Sequence, residues 1–245
     1  MTRRRWIADE WTEGTAILRN QQAAHLARVL RARVGQEFDL VAGEKVRRGV
    51  IEKIKDDAVE FSLHEEIAIA ESLPLVIGMS IVRFERMEWA IEKLTELGVA
   101  RIVPLIAERS EKHLAQAAAK RVDRWRKIAR ESAQQSRRSD ILEIAEPLPL
   151  LQWWNQDFDG VRLLLSEYER TQSLRHSLLS KTMEGSKNIY AAIGPEGGWT
   201  EREITGFAER GWQPVSLGPR ILRAETAAIA FASICGSLFA DIFAP

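Results

Sequence analysis

The sequence predicts an α/β domain over residues 73–245, preceded by a small β-rich unit over residues 1–72. Three observations carry that division. Residues 1–70 hold short runs of alternating apolar and polar residues separated by turn formers. Leu75–Val82 is a nearly continuous apolar run, as in strands covered on both faces. Beyond it, strand-like and helix-like segments alternate toward the C-terminus.

In the first unit a helix is expected over 21–31, followed by strands at 38–41, 46–54 and 58–63, with Gly43 turning between the first two. Glu65–Ser72 is acidic, contains alanine and runs into Pro74, which sets the boundary near residue 72. In the second unit the strand at 75–82 leads into a helix with Met87, Ile91 and Leu94 on one stripe and Glu88, Glu92 and Glu96 on another. Gly98 ends that helix in a left-handed conformation before a strand at 99–106. A helix at 114–135, strands at 161–165 and 189–193, a helix at 201–210, a strand at 214–217 and a buried helix at 227–240 continue the alternation.

Composition narrows the class. A chain of 245 residues, 45% hydrophobic, buries a substantial core. Met1–Arg5 is basic, but Asp9 and Glu10 stand where the apolar part of an export signal would follow, so a cytoplasmic protein is expected. The apolar stretch 227–240 contains serines and a glycine, meets Asp241 and is shorter than the roughly 20 residues that cross a bilayer, so no membrane span is expected. The single Cys235 lies among Phe231, Ile234 and Leu238 and reads as an inert core thiol. His25, His64, His113 and His176 are far apart and lack ligand spacing, so no metal is expected. Thirty-five basic residues balance thirty-five acidic ones, yet from Arg109 to Asp140 ten Lys or Arg stand against four acids. Such a stretch suits either phosphate contacts or a solvated helix face.

Two segments carry chemistry. The strand ending at Ile193 enters Gly194-Pro195-Glu196-Gly197-Gly198, and Thr200 with Glu203 has capping-box spacing for the next helix. Glycines at a carboxyl strand end let backbone approach a ligand, although the same residues also make an ordinary tight turn. Neither GxxxxGK[ST] nor GxGxxG can be laid on this loop, and its one charge is an acid, which disfavours a phosphate. The strand at 214–217 then enters Gly218–Thr226, a second glycine loop before a helix. Arg223 and Glu225 stand at the edge of that apolar helix, as a structural ion pair, a helix-terminus acid or reactive groups.

GPEGG after one strand and LGPRILRAETA after the next resemble the two signature segments of the ribosomal RNA small subunit methyltransferase E (RsmE) family. Glu85–Val99 is similar to that family's second-domain helix, and His25–Arg31 to its N-terminal helix, so the resemblance spans nearly the whole chain. It implies an RNA-binding PUA-like β-barrel over 1–72 and a SPOUT methyltransferase domain over 73–245 with a C-terminal trefoil knot, usually as a homodimer. It implies transfer of a methyl group from S-adenosylmethionine to N3 of a uridine in 16S ribosomal RNA. The cofactor residues implied are Leu165, Ser166 and Glu167 at one strand end, Ile193, Gly194, Pro195, Glu196, Gly197 and Gly198 at the next, and Leu217, Gly218, Ile221, Leu222, Arg223, Thr226 and Ala227 at the last.

Removing the weakly acidic N3 proton calls for oxyanion stabilisation, for which Arg223 is the candidate. Glu225 or Glu196 serves as base or holds a hydroxyl, and loss of the proton through water is a third route. Arg28, Arg31, Arg86, Arg109, Arg130, Arg137 and Arg138 are the expected RNA contacts, with the small ribosomal subunit as partner. One departure stands out: the family's EQS-like segment is Gln134-Gln135-Ser136 here. Three other readings are a SPOUT methyltransferase acting on another RNA, a non-catalytic RNA-binding assembly factor, and a Rossmann-type dehydrogenase, whose glycine fingerprint is lacking here and which needs no basic stretch. The eight tryptophans, including adjacent Trp153 and Trp154, read as packing.

Overall fold

The computed structural model of the chain describes residues 5–43, 45–55, 57–67, 72–136, 138, 140–179 and 188–242. They form two compact units. The first contains the described residues up to Ile67 together with Ala133–Ile141, and the second contains Ser72–Ser132 and the residues from Leu142 onward. The second unit thus opens one residue before the expected start at 73, and Ala133–Ile141, read from sequence as part of the later domain, groups with the first.

The first unit is built from β1 (Arg5–Ile7), β2 (Glu10–Trp11), β3 (Thr15–Arg19), α1 (Asn20–Ala24) with a wide turn at His25–Val29, β4 (Glu37–Ala42), β5 (Lys45–Ile54) and β6 (Ala58–Ile67). The strands follow the order β1-β4-β5-β6-β3-β2, antiparallel except for β1 with β4. The two edge strands are consecutive in the chain, and the residues between them carry the pairing across from β4 to β3: Ala8 N–H donates to Val41 O and Asp9 N–H to Ile17 O, each at 2.9 Å. The sheet therefore closes on itself, leaving no open edge there. Leu18, Leu40, Ile51 and Phe61 fill its interior, and Ala23 and Leu26 of the helical segment cap it, all buried. A Cβ on Gly49 would lie 2.7 Å from Leu40 Cδ2, so a side chain there would force Leu40 to shift.

The second unit contains β7 (Leu73–Ser80), α2 (Phe84–Glu96), β8 (Val99–Ile106), α3 (Lys112–Ala118), α4 (Val122–Ser136, its last turn in the first unit), β9 (Glu143–Ile144), β10 (Leu148–Pro149), α5 (Leu150–Trp153), β11 (Gly160–Leu165), α6 (Leu174–Leu179), β12 (Asn188–Ile193), α7 (Glu201–Glu209), β13 (Gln213–Val215) and α8 (Ala224–Ile242). Its sheet is parallel throughout, in the order β10-β8-β7-β12-β11-β13, with β9 also on β8. The helix expected at 114–135 is two helices, because a 3₁₀ turn at Ala119–Arg121 interrupts it.

One layer of the core sets Met87, Ala90, Ile91 and Leu94 of α2 and Ala228, Phe231, Ala232 and Cys235 of α8 against the sheet, all fully buried. Burial pushes the Cys235 thiol up to about 12. The other layer is aromatic: Trp153, Trp154, Trp199, Phe207 and Trp212 interlock at centroid distances of 5.0 to 5.3 Å. Each such side chain contributes roughly 1.5–3 kcal/mol or more by leaving water. Among the described residues no helix is long and apolar enough to cross a membrane, and no group of three or more His, Cys, Asp or Glu is placed to hold a metal ion.

The chain runs from β7 outward to β8, then returns to lay β12 and β11 on the other side of β7. Where strand order reverses, the carboxyl ends of a parallel sheet open into a crevice. Because β11 lies between β12 and β13, the loops after these three strands stand side by side.

Candidate functional site

Each of the three loops is held by its own bonds. After β12, Gly198 N–H donates to Pro195 O at 2.8 Å, closing a turn in which Gly198 adopts φ +69°, a left-handed value that favours glycine. Thr200 caps α7: its hydroxyl accepts from Glu203 N–H at 3.3 Å while Glu203 Oε2 accepts from Thr200 N–H at 2.8 Å. Glu203 Oε1 also accepts from Glu108 N–H at 2.8 Å, which satisfies this buried carboxylate. After β11, Glu169 Oε1 accepts from Thr171 N–H, Thr171 Oγ1 and Gln172 N–H at 2.6, 2.7 and 2.9 Å. The Thr171 hydroxyl, then the backbone N–H groups, hold its carboxyl down at about 2. After β13, Ser216 N–H donates to Gln172 O at 2.8 Å and its carbonyl accepts from Leu174 N–H at 2.9 Å. Ser166 N–H donates to Val215 O at 3.1 Å, so the last loop is bonded to both ends of the first.

The loops enclose a cleft of about 400 Å³. From β11 come Leu165, Ser166 and Glu167, and from β12 Ile193, Gly194, Pro195, Glu196 and Gly198. Leu217, Gly218, Ile221, Leu222, Arg223 and Ala227 complete it. Two residues expected there do not line it. Gly197 turns its carbonyl to Arg109 Nη1, which donates at 2.8 Å, and Thr226 is exposed on the first turn of α8. Arg86, Tyr168, Trp199, Ile204 and Arg220 line the cleft without having been expected. A side chain at 194 would bring a Cβ to 3.1 Å from Trp199 Nε1.

The charges divide into two sets. Arg86 Nη1 pairs with Glu196 Oε1, and Arg86 Nε lies 3.7 Å from Glu225 Oε1. Glu225 is 4% exposed, its Oε2 has no hydrogen-bond partner among the described residues, and it does not line the cleft. Glu167 and Glu196 do line it, with Glu167 Oε1 within 3.6 Å of where a Cβ on Gly198 would stand. Arg220 and Arg223 are exposed and have no ionic partner among the described residues. The cleft thus offers the Glu167 carboxylate to a cation and unpaired guanidiniums to an anion, while Glu196 is held by Arg86.

The other expected RNA contacts are dispersed. Arg28 and Arg31 are exposed in the first unit, Arg31 at φ +52°. Arg130 is partly buried on α4. Arg137 lies outside the described residues. Arg138 corrects the expectation: it is 9% exposed and paired with Asp140, so contact with a phosphate would break an internal ion pair. Arg86 likewise belongs to the cleft and not to an open basic face. The Gln134 departure also has a structural partner, since Gln134 Nε2 donates to Gln22 Oε1 within the first unit.

Residues 70–236 match the family described as RNA methyltransferase domain, and residues 18–63 the RNA methyltransferase PUA domain. The chain is 34% identical to ribosomal RNA small subunit methyltransferase E of Synechocystis, across 88% of this chain and 70% of that protein. It is 31% identical to the protein of that name from Aquifex aeolicus, across 94% and 97%. Among solved structures, a methyltransferase from Legionella pneumophila in complex with the cofactor SAM superposes with a TM-score of 0.84 at 29% identity, over 97% of this chain and 98% of that one. Ribosomal RNA small subunit methyltransferase E from Neisseria gonorrhoeae, bound to S-adenosyl methionine, superposes with a TM-score of 0.81 at 27% identity, over the same shares of the two chains.

Proposed function

Since the chain belongs to the ribosomal RNA small subunit methyltransferase E family, we propose that it transfers a methyl group from S-adenosylmethionine to N3 of a uridine in 16S ribosomal RNA. The observation that carries this reading is the convergence of three strand-end loops on one cleft lined by both carboxylates and unpaired arginines. Legionella and Neisseria relatives that bind the same cofactor support it.

The residues present fit such a cofactor. Apolar side chains of Leu165, Ile193, Leu217, Ile221, Leu222 and Ala227 would hold its adenosine part, with loop N–H and C=O groups reading the base edge. Glu167 favours a cation where a phosphate would be repelled. The bound cofactor supplies an electrophilic methyl group on a positively charged sulfur. For N3 to take that methyl its proton must leave, and negative charge builds on the uracil carbonyl oxygens. Arg223, free of ionic partners among the described residues, stabilises that charge. Glu196 lines the cleft and is assigned the proton. Glu225, buried and outside the cleft wall, acts through Arg86 as a positioning residue.

The same reading includes a trefoil knot, supported by the bonds of the 213–217 segment to Ser166, Gln172 and Leu174 before the chain enters α8, which packs on β7 and α2. It includes RNA binding by the PUA-like barrel through Arg28 and Arg31, a cytoplasmic location and a homodimer. Tyr168 and Ile221, 72% and 77% exposed beside the cleft, are large apolar groups that a second subunit would cover.

The test is transfer of labelled methyl to small ribosomal subunits lacking the modification, with nucleosides identified by mass spectrometry. The expected product is 3-methyluridine. Cofactor binding without transfer to these subunits would assign the enzyme to another RNA, and absence of cofactor binding would remove the methyltransferase reading.

A further inference from the structure

Most cations of the basic stretch 109–140 are already engaged within the fold. Arg109 is bonded to Gly197 O, Arg124 donates twice to Glu88 at 2.6 and 2.8 Å, and Arg126 reaches Glu146 at 2.9 Å. Lys127 lies 3.8 Å from Glu131, Arg138 pairs with Asp140, and Arg130 is also engaged. Lys112, Lys120 and Arg121 have no ionic partner among the described residues, and of these the Arg121 guanidinium carbon is held 4.7 Å from the centroid of the Phe84 ring. Arg83, exposed at the N-cap of α2, is also without an ionic partner among the described residues.

These two arginines line one cavity of about 610 Å³, bounded by the first turns of α2 and by the segment from Glu111 to Arg124. Of the acids around it, Glu88 is bonded to Arg124, and Glu111 stands 3.6 Å from exposed His113, a pair that is ionic only when the imidazole is protonated. Glu85 and Glu111 therefore oppose Arg83 and Arg121, and the site depends on the paired donors of the guanidiniums more than on a surplus of charge. Arg83 is the N-cap of α2 and Arg86 lies in its first turn. Arg86 lines the cleft, so the cavity and the cleft share the first turn of α2.

We propose that this cavity binds a phosphodiester of the RNA strand next to the nucleotide in the cleft, with Arg83 and Arg121 as its ligands. The proposal rests on the RNA methyltransferase reading and adds a contact that positions the strand. A guanidinium matches phosphate oxygens with paired donors, and one already packed over an aromatic ring loses little freedom on binding. The proposal gives Arg121, one of the cations of the 109–140 stretch without an ionic partner among the described residues, a use beside the reaction.

Full-length wild type, R83A, R121Q and the double variant are compared for binding to transcribed small-subunit ribosomal RNA over a range of salt concentrations, with S-adenosylmethionine affinity measured by calorimetry. Glutamine at 121 keeps packing over Phe84 while removing the charge. Each single change should weaken RNA binding about tenfold and make the log affinity against log salt slope shallower by about one, with cofactor affinity unchanged. A double variant that binds RNA with wild-type affinity and slope overturns the proposal and leaves the methyltransferase reading standing. Parallel loss of RNA and cofactor affinity also overturns it, since the arginines would then be maintaining the fold. A wild type that binds cofactor but takes up no small-subunit RNA removes the reading beneath it.

Discussion

Arg86 and Glu225 show how a buried charge can act at a distance from solvent. Glu225 sits in the first turn of α8, where an acid complements the helix dipole, yet one of its oxygens has no hydrogen-bond partner among the described residues. Its attraction is spent on Arg86, which in turn holds Glu196. Arg223 stands apart from this chain of charges and is free to answer charge that appears only during reaction. Arg223→Ala is therefore expected to lower the methyl-transfer rate by about 10²–10³ while cofactor affinity changes little. Single-turnover kinetics beside calorimetry would measure the split, and equal loss of rate and affinity would remove the assigned role. In the sequence Arg86 looks like one more surface cation. Its partners lie far along the chain, and no local pattern reports them.

At the scale of elements, glycines and tryptophans explain one another. A Cβ on Gly78 of β7 would lie 2.4 Å from Trp153, and one on Gly206 of α7 2.6 Å from Trp154. Gly206→Ala should cost about 1–3 kcal/mol by overpacking, read as a lower denaturation midpoint. An unchanged midpoint would mean that Trp154 can move aside. The loop after β11 depends on Glu169 in a different way. Its lowered carboxyl keeps the three loop bonds intact above its ordinary value of 4.5, and they are lost as pH falls through about 2. Glu169→Ala should weaken cofactor binding several-fold at neutral pH with only a small fall in melting temperature, since the group is exposed.

Which elements the sequence revealed follows from the same physics. The runs 99–106, Arg101 apart, and 189–193 are apolar and mostly buried, so hydrophobicity marks them. Strands β1 to β3 are short and mix Arg5, Glu10 and Arg19 with their apolar residues, and β9 and β10 have two residues each; their pairing is decided by partners elsewhere. The glycine loops were legible because backbone freedom is written in residue type, whereas the exposure of Thr226 and the turning away of Gly197 depend on packing.

For the whole molecule, each unit has its own core. Phe61 is buried in the first and Phe231 in the second. Phe61→Ala and Phe231→Ala should each cost about 3–5 kcal/mol of stability. Only the second is expected to weaken cofactor binding by the protein that remains folded, because Phe231 lies on the helix that begins in the cleft wall. Scanning calorimetry with and without S-adenosylmethionine would separate the two effects, and equal changes in ligand stabilisation would count against this division. The formal charge of zero says little about RNA, because what matters is which cations remain unpaired beside the cleft.

The placement of β12 between β7 and β11 also sets a timetable. Leu75 pairs with Ile189, so one side of β7 waits for a strand made long after it has left the ribosome. Such distant parallel pairing is slow to form, and an unpaired edge invites association with other chains in the meantime. A nascent chain stopped before residue 188 would carry the barrel and β7 to β11 but neither glycine loop. The protein therefore spends most of its synthesis as an incomplete sheet, and its binding cleft is the last part to mature.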